Sequence, residues 1–256
     1  MIGRLLDGLR KHGPVGSLRA AWDLAVEAPR ARRRRPSQKP TVKQLVRGTV
    51  SIEVTAEALL ERLGVRVSGD LSALADARIL ELEHRTTANE LLFPERYAVE
   101  RESGRFLYLL VRTIRPELMV ETGVANGAST FLVLRAMEEN GVGRLISTDI
   151  TEHVGSLLTD DERASTRWDL RVIPADGFGA VAASAGAVDV FLHDSDHSYA
   201  NVRGEVTAIW PHVRPGGFVM SDDGELSFGF LDAVEGTSAS VHGLFDRRKV
   251  LLVTRR

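Results

Sequence analysis

The sequence contains no cysteine among its 256 residues. Disulfide scaffolds, cysteine-ligated zinc or iron–sulfur sites and thiol catalysis are therefore excluded. It also lacks a run of about 18 apolar residues, the length that a membrane-spanning helix requires. The first residues do not form the apolar core of a secretory signal. These absences predict a cytoplasmic protein that does not span a membrane.

Charge is unevenly distributed, although the net charge is only −2. Residues 1–50 carry a net charge of +9 and the rest of the chain carries −11. The basic excess includes Arg32–Arg35, which lies between two prolines. Such a run could contact anionic lipid, nucleic acid or an acidic partner, but most charge runs simply face water. We predict that residues 1–40 form a helical, basic N-terminal arm.

Strand patterns alternate with helix patterns from Leu118 onward, which predicts an α/β fold with a mainly parallel, doubly wound sheet. The predicted strands are Leu118–Glu121, Arg144–Asp149, Arg171–Pro174, Val188–His193, Phe218–Ser221, Ser240–Phe245 and Val250–Thr254. The last two strands flank a short turn, so we expect them to pair with each other at the end of the domain.

The segment before this domain has a mixed pattern. Val50–Val54 alternates like a short strand, whereas Ala56–Leu63 and Leu71–Leu82 have helical spacing. We interpret residues 41–89 as a small cap or entrance segment and residues 90–256 as the main domain.

The first predicted strand runs into a turn of small residues that begins at Glu121. In a doubly wound sheet, ligands bind outside the carboxyl ends of the strands, near this strand–helix turn. Gly123 would permit a tight turn, Gly127 would allow close approach of backbone or ligand, and Ser129 could cap the next helix. A tight turn without any ligand is the alternative interpretation.

Acidic residues outline a nucleoside-shaped cleft around this turn. Asp149 ends the second strand, where a carboxylate can accept hydrogen bonds from ribose hydroxyls. Asp176 and Gly177 follow the third strand, where we expect them to meet an adenine edge. Glu121 would repel a pyrophosphate but suits the ammonium group of an amino acid. This pattern favours S-adenosylmethionine over NAD as the cofactor.

A second group of acids follows the fourth and fifth strands. Asp194 follows the fourth, and Asp222 and Asp223 follow the fifth. Because we expect these strands to be neighbours, about 4.8 Å apart, the three carboxylates should meet beside the cleft. Close carboxylates raise each other's pKa unless a cation neutralises them. Their hard oxygen ligands favour Mg²⁺ or another hard divalent ion.

His197 lies three residues beyond Asp194 and could act as a general base near pH 7. Asp196 could replace Asp194 as a ligand, because the predicted strand end is uncertain by a residue or two. Alternatively, these acids are loop caps and His197 is a surface residue.

Residues 118–130 and 188–223 resemble the class I S-adenosylmethionine-dependent methyltransferases. They most resemble the branch of the rhamnosyl and macrolide-sugar O-methyltransferases and the cephalosporin-hydroxylase-like proteins. The residues that carry the resemblance are Val120-Glu121-Thr122-Gly123-Val124 with Gly127-Ala128-Ser129, the run Asp194-Ser195-Asp196-His197-Ser198-Tyr199, and Arg214-Pro215-Gly216-Gly217 leading to Asp222-Asp223. The likeness covers about residues 90–256. Two departures from the pattern are Ala125, at the usual middle glycine, and Asp222, where glutamate is frequent.

The resemblance implies a Rossmann-like sheet of seven strands, in the order 3-2-1-4-5-7-6 with the last strand antiparallel. The predicted cofactor-binding residues are Glu121, Thr122, Gly123, Ala125, Asn126, Gly127, Ser129, Asp149, Asp176, Gly177 and Asp194. The predicted metal ligands are Asp194, Asp222 and Asp223, and the predicted catalytic residues are His197 and Asp194.

These residues together predict a Mg²⁺-assisted O-methyltransferase that acts on a hydroxyl of a sugar or small natural product. The metal would lower the pKa of the hydroxyl, and His197 would take its proton. Alternatives are a cephalosporin-hydroxylase-like reaction, metal-independent N-methylation, or a non-catalytic assembly protein that works through its basic arm. The acidic main domain disfavours a nucleic-acid substrate. We also expect a homo-oligomer.

Overall fold

A computed structural model of the protein describes residues 39–256. The predicted basic arm lies outside the described residues except for its last two positions, so its helices stay a prediction. Within the described range, no helix combines the length and apolar character needed to cross a membrane.

The described chain alternates strands and helices. The strands are β1 (Ser51–Glu53), β2 (Leu118–Thr122), β3 (Arg144–Asp149), β4 (Trp168–Val172), β5 (Val188–His193), β6 (Val213–Ser221), β7 (Val241–Asp246) and β8 (Lys249–Arg255). The α-helices are α1 (Val42–Gly48), α2 (Ala56–Arg62), α3 (Gly69–Ala88), α4 (Arg101–Ile114), α5 (Ala128–Asn140), α6 (Asp160–Arg163), α7 (Phe178–Ala185), α8 (Tyr199–Ile209) and α9 (Gly229–Val234). Short 3₁₀ turns occur at Glu95–Tyr97 and Trp210–His212.

The strands form one sheet in the order β1-β7-β8-β6-β5-β2-β3-β4. Strand β8 runs antiparallel to β6 and β7, and the other pairs are parallel. From β4 to β7 this is the predicted order, and the predicted α/β class is confirmed. The predicted count of seven strands is wrong, because β1 pairs with the outer edge of β7 as an eighth strand.

Helices cover both faces of the sheet, because alternate residues of each central strand point to opposite sides. Met119 belongs to a core layer with residues of α2, α3, α4 and α5. Its neighbour Val120 belongs to the opposite layer, with residues of α7, α8 and α9. Both side chains are fully buried, and each such burial stabilises the fold by about 2 kcal/mol.

The register of the parallel strands sets the position of the site. Thr122, His193 and Ser221 end β2, β5 and β6, and they are paired across the sheet. The backbone N–H of Asp194 donates to Thr122 O (2.9 Å), and that of Asp222 donates to His193 O (3.0 Å). The loops after the three strands therefore start side by side at one edge of the sheet.

Candidate active site

A cavity of about 340 Å³ opens at this edge of the sheet, within the usual size range of small-molecule sites. The predicted site residues that line it are Thr122, Gly123, Ala125, Asn126, Ser129, Asp149, Asp194, His197 and Asp223. The predicted site residues that do not are Glu121, Gly127, Asp176, Gly177 and Asp222. The structure therefore brings together most, but not all, of the predicted site.

Gly123 lies in the turn after β2, where this turn contacts the loop after β5. Its φ is +81°, a left-handed conformation that L side chains rarely adopt. A Cβ at this position would press on the carbonyl oxygen of Asp194 and lie 2.7 Å from its carbonyl carbon. Glycine is therefore required for the two loops to approach this closely.

Glu121 lies behind the cavity wall and is fully buried. Its carboxylate accepts hydrogen bonds from the hydroxyls of Ser129 (2.5 Å), Thr130 (2.7 Å) and Ser147 (2.8 Å). Burial raises the pKa of Glu121, and these hydroxyls oppose part of that effect. The predicted contact with a cofactor ammonium is thus not arranged in this structure, because the carboxylate is turned toward the first turn of α5 and toward β3.

Asp149 does line the cavity, at the end of β3. Its Oδ2 accepts from the backbone N–H of Val124 (2.9 Å), and its Oδ1 accepts from that of Ile150 (2.7 Å). These bonds fix the carboxylate beside the turn after β2. Each oxygen retains a further lone pair, so the predicted ribose contact is geometrically open.

Two predicted loop positions lie away from the cavity. Asp176 is exposed, and the neighbouring Pro174 and Ala175 line the cavity instead of Asp176 and Gly177. A Cβ on Gly127 would lie 3.0 Å from the Cα of Gly155. The glycine therefore serves backbone packing rather than the cavity surface.

Asn126 joins the turn after β2 to the segment that precedes α4. Its side-chain oxygen accepts from the backbone N–H of Phe93 (2.9 Å), and its amide donates to Phe93 O (2.8 Å). Phe93, Tyr97 and Val99 consequently line one side of the cavity. No local motif marks these residues in the sequence.

His197 lies against two of the three predicted acids. Its Nε2 is 3.4 Å from Asp223 Oδ2 and 3.7 Å from Asp194 Oδ1. Burial, together with the nearby His193, lowers the pKa of His197 to about 4. The imidazole is therefore neutral at pH 7 and can accept a proton. Burial and the nearby Asp222 raise the pKa of Asp194 well above its usual value.

A lysine that the sequence analysis did not consider lies among these acids. The Lys249 ammonium is 3.4 Å from Asp222 Oδ2 and 3.5 Å from Asp223 Oδ1. Its side chain is only 8% exposed. Burial lowers the pKa of Lys249, but the surrounding carboxylates outweigh that effect and raise it overall. Lys249 is thus a buried cation at the edge of the cavity.

This arrangement does not fit a Mg²⁺ ion at the predicted ligands. Within residues 39–256, no group of three or more His, Asp or Glu side chains is arranged to hold a metal ion. The ammonium of Lys249 already supplies positive charge to Asp222 and Asp223. One oxygen of Asp222 is buried without a hydrogen-bond partner, and burial raises the pKa of Asp222 to about 6. The described cluster therefore already holds one cation of its own, the ammonium of Lys249.

A second buried network supports the loop after β5. Glu205 on α8 accepts a hydrogen bond from the hydroxyl of Thr122 (2.6 Å) and lies 2.6 Å from His193 Nδ1. Its other oxygen accepts from the hydroxyl of Ser195 (3.0 Å). Burial raises the pKa of Glu205, but His193 and the hydrogen bonds outweigh burial and lower it. Glu205 lines the cavity. The helical spacing of the sequence does not mark it as a site residue.

Glu225 should make stability depend on pH. Burial, with some help from Asp223 and Asp222, raises the pKa of Glu225 from 4.5 to about 7. The folded state therefore binds more protons than the unfolded state between these values, and stability falls as pH rises through 7. We expect Glu225→Gln to raise the free energy of unfolding by about 2 kcal/mol at pH 8 and to leave it unchanged at pH 4.

Urea unfolding at the two pH values measures this effect. The matched control is Glu235→Gln, at an exposed position nearby, and it should change neither value. An equal gain from Glu225→Gln at both pH values would contradict the assigned pKa.

Comparisons with known proteins agree with this geometry. Residues 120–224 match the family described as "Methyltransferase domain". No curated protein matches the sequence.

Three solved structures illustrate the likeness of fold. The S-adenosylhomocysteine-bound methyltransferase PaMTH1 of Podospora anserina has a TM-score of 0.53 at 16% identity, over 70% of this chain and 87% of that chain. An O-methyltransferase from Bacillus cereus, also in complex with S-adenosylhomocysteine, has a TM-score of 0.53 at 18% identity, over 79% and 98%. The O-methyltransferase TomG of Streptomyces achromogenes, described as involved in tomaymycin synthesis and bound to S-adenosylmethionine, has a TM-score of 0.52 at 18% identity, over 78% and 95%.

These identities establish likeness of fold, and the family match covers residues 120–224. The prediction of a methyltransferase enzyme is confirmed by that match. The sugar-specific and cephalosporin-hydroxylase-like branches stay predictions. Residues 120–224 match a methyltransferase domain model, and the fold of the chain is similar to that of solved O-methyltransferases.

Proposed function

We propose that the protein transfers a methyl group from S-adenosylmethionine to a hydroxyl of a small molecule, with His197 as the general base. The observation that carries this proposal is a neutral, mostly buried imidazole at the wall of a cavity that begins at the strand–helix turn of a methyltransferase domain. Neutral imidazole is the form of histidine that can remove a proton.

Gly123 places no side chain in the cavity that would hold the cofactor. A Cβ at this position would meet the backbone of the loop after β5. Asp149 would accept from the ribose hydroxyls, and the backbone of residues 123–126 would follow the rest of the nucleoside. Asp194, which lines the same cavity, would be a hydrogen-bond partner for the amino-acid end. When bound, S-adenosylmethionine supplies a sulfonium methyl, and the C–S electron pair returns to sulfur as the methyl leaves.

His197 prepares the acceptor for this transfer. Because Nδ1 is buried and has no hydrogen-bond partner among the described residues, we assign the proton of the neutral ring to Nδ1 and the lone pair that takes the hydroxyl proton to Nε2. The acceptor oxygen then forms the new bond to the methyl carbon. The imidazolium later returns its proton to water, so the base is regenerated. Asp194 and Asp223 stabilise the imidazolium while it exists.

The acceptor side of the cavity favours a compact molecule with both polar and apolar faces. Phe93 and Tyr97 provide an apolar wall, and Asn201 and Glu205 provide polar groups. We therefore extend the proposal to a hydroxylated sugar or small natural product. TomG, which is described as acting in the synthesis of tomaymycin, supports this substrate class by similarity of fold.

Calorimetric titration tests the cofactor first. We expect S-adenosylmethionine and S-adenosylhomocysteine to bind with dissociation constants in the micromolar range, about 8 kcal/mol of binding free energy. NAD serves as the control and should not bind. Folded protein that binds neither sulfur compound would contradict the proposed function. Methylation of amine acceptors only, in a subsequent screen, would replace O-methylation by N-methylation.

A further inference from the structure

The position of Lys249 suggests how this site balances its charge, and this inference rests on the proposed function. We propose that the ammonium group of Lys249 takes the place of a divalent cation at the acceptor end of the cavity, so that methyl transfer in this protein requires no metal ion. Lys249 would then be the residue that faces the acceptor oxygen as its negative charge develops.

The charges around the ammonium support this assignment. The carboxylates of Asp222 and Asp223 lie 3.4 and 3.5 Å from it, and Asp194 shares the same cluster. The imidazole of His197 lies against Asp194 and Asp223 from the loop after β5. One ammonium offsets one carboxylate charge and weakens the attraction of the cluster for a further cation. A second, doubly charged ion would have to enter against the ammonium.

The hairpin holds Lys249 in place. Lys249 starts β8 and is paired with Asp246 of β7 across the turn. The next residue, Val250, donates its N–H to Glu225 Oε2 (2.8 Å) and accepts from the N–H of Gly224 (2.7 Å). The backbone beside Lys249 is therefore joined to the loop that carries Asp222 and Asp223. These hydrogen bonds fix the backbone position from which the lysine side chain enters the cluster.

Lys249 also lines the cavity, so its charge can reach a bound acceptor. A fixed ammonium beside the attacking oxygen stabilises the negative charge that develops there, as a metal ion would. Lys249 neither gives nor takes a group in this reaction. The hydroxyl proton still goes to His197, and the methyl group still goes to the acceptor oxygen.

Binding of Mn²⁺ tests this proposal without knowledge of the acceptor. We expect the wild-type chain to bind no Mn²⁺ at concentrations up to about 1 mM, as measured by electron paramagnetic resonance of the free ion. Lys249→Met should create a site among the three acids and bind Mn²⁺ at least about tenfold more tightly than wild type. Lys249→Arg retains the charge and should bind none.

Arg248→Met is the matched control, because it removes a charge from the exposed neighbouring position of the same turn. It should behave like the wild type. Wild-type binding of Mn²⁺ that is lost in Asp222→Asn would overturn the proposal. So would Lys249→Met protein that remains folded, by its melting curve, and binds Mn²⁺ no more tightly than wild type. If that variant does not fold, the wild-type titration alone decides.

The same samples separate this proposal from the proposed function. Absence of S-adenosylmethionine binding by wild type contradicts the function but leaves the Mn²⁺ result interpretable. Conversely, a wild-type chain that binds both S-adenosylmethionine and Mn²⁺ at the acid cluster retains the function and overturns only the role of Lys249.

Discussion

Replacing Gly123 with alanine is expected to lower the free energy of unfolding by about 3 kcal/mol or more. Gly123 has a φ of +81°, and a Cβ there would press on the carbonyl group of Asp194 and lie 2.9 Å from the Cα of Ser195. Both neighbours are backbone atoms, which cannot rotate away as a side chain can. Any relief must therefore separate the turn after β2 from the loop after β5.

The same separation should weaken cofactor binding. Since both loops line the cavity, we expect the affinity for S-adenosylmethionine to fall at least about tenfold, or about 1.4 kcal/mol. Urea unfolding measures the change in stability, and calorimetry on folded protein measures the change in affinity.

Gly141→Ala is the matched control. Gly141 also has a positive φ, +70°, but a Cβ there would have no atom within 4 Å. This variant should cost only the conformational penalty of about 1 to 2 kcal/mol and should bind the cofactor normally. Equal effects of the two substitutions would show that the contact with Asp194 is unimportant.

Replacing His197 with alanine should reduce the rate of methyl transfer by about 100- to 10,000-fold, the usual contribution of a general base. Binding of S-adenosylmethionine should change little, because Gly123 and Asp149 hold the nucleoside in our proposal. The measurement is transfer of a labelled methyl group to an acceptor identified by screening. His84→Ala, at an exposed position on α3, is the control and should retain full activity.

The pH dependence of the same reaction identifies the base. Because burial lowers the pKa of His197 to about 4, the active, neutral form predominates at every pH above about 5. Activity should therefore be constant between pH 6 and 8 and fall only as pH drops toward 4. A wild-type profile that falls with a midpoint near 6.5, the ordinary pKa of histidine, would show that His197 is not shielded as the structure indicates.

Most of the fold after Leu118 was predictable because its strands are mainly apolar and separated by clear helical segments. Strand β4 is the exception, because its sequence is partly polar and it starts at Trp168 rather than at the predicted Arg171.

Strand β1 was not predictable, because it has only three residues and pairs with β7. Ser51 lies opposite His242 in that pair, and no local pattern shows a contact across so much sequence. The short alternation at Val50–Val54 indicated a strand but not its place in the sheet.

The residues of the candidate site also divide into those that the sequence predicts and those that it does not. Asp194, Asp223 and His197 meet because their strands end in register, and strand ends can be read from hydrophobic runs. Lys249 reaches them from the turn of the β7–β8 hairpin, and such a position depends on tertiary packing. The lysine is one of four in the sequence, and that rarity is the only sequence signal that sets it apart.

Glu121 shows a different limit of sequence reasoning. Its position at the end of an apolar strand predicted that this acid lies at the ligand-binding edge of the sheet. The direction of its side chain depends on the hydroxyls of Ser129, Thr130 and Ser147, and Ser147 lies on a separate strand. A pattern within one turn does not contain that information.

The place of β7 also has a consequence for how the chain is made. This strand lies between β1, near the start of the described chain, and β8, at its end. While the ribosome is still adding residues beyond 224, β6 has no partner on its outer edge and β1 has none at all. An open strand edge is a template for association with other chains, and contacts between distant residues slow folding. Completion of the sheet must therefore wait for β7 and β8 to emerge, so a chain truncated within β8 should aggregate rather than fold.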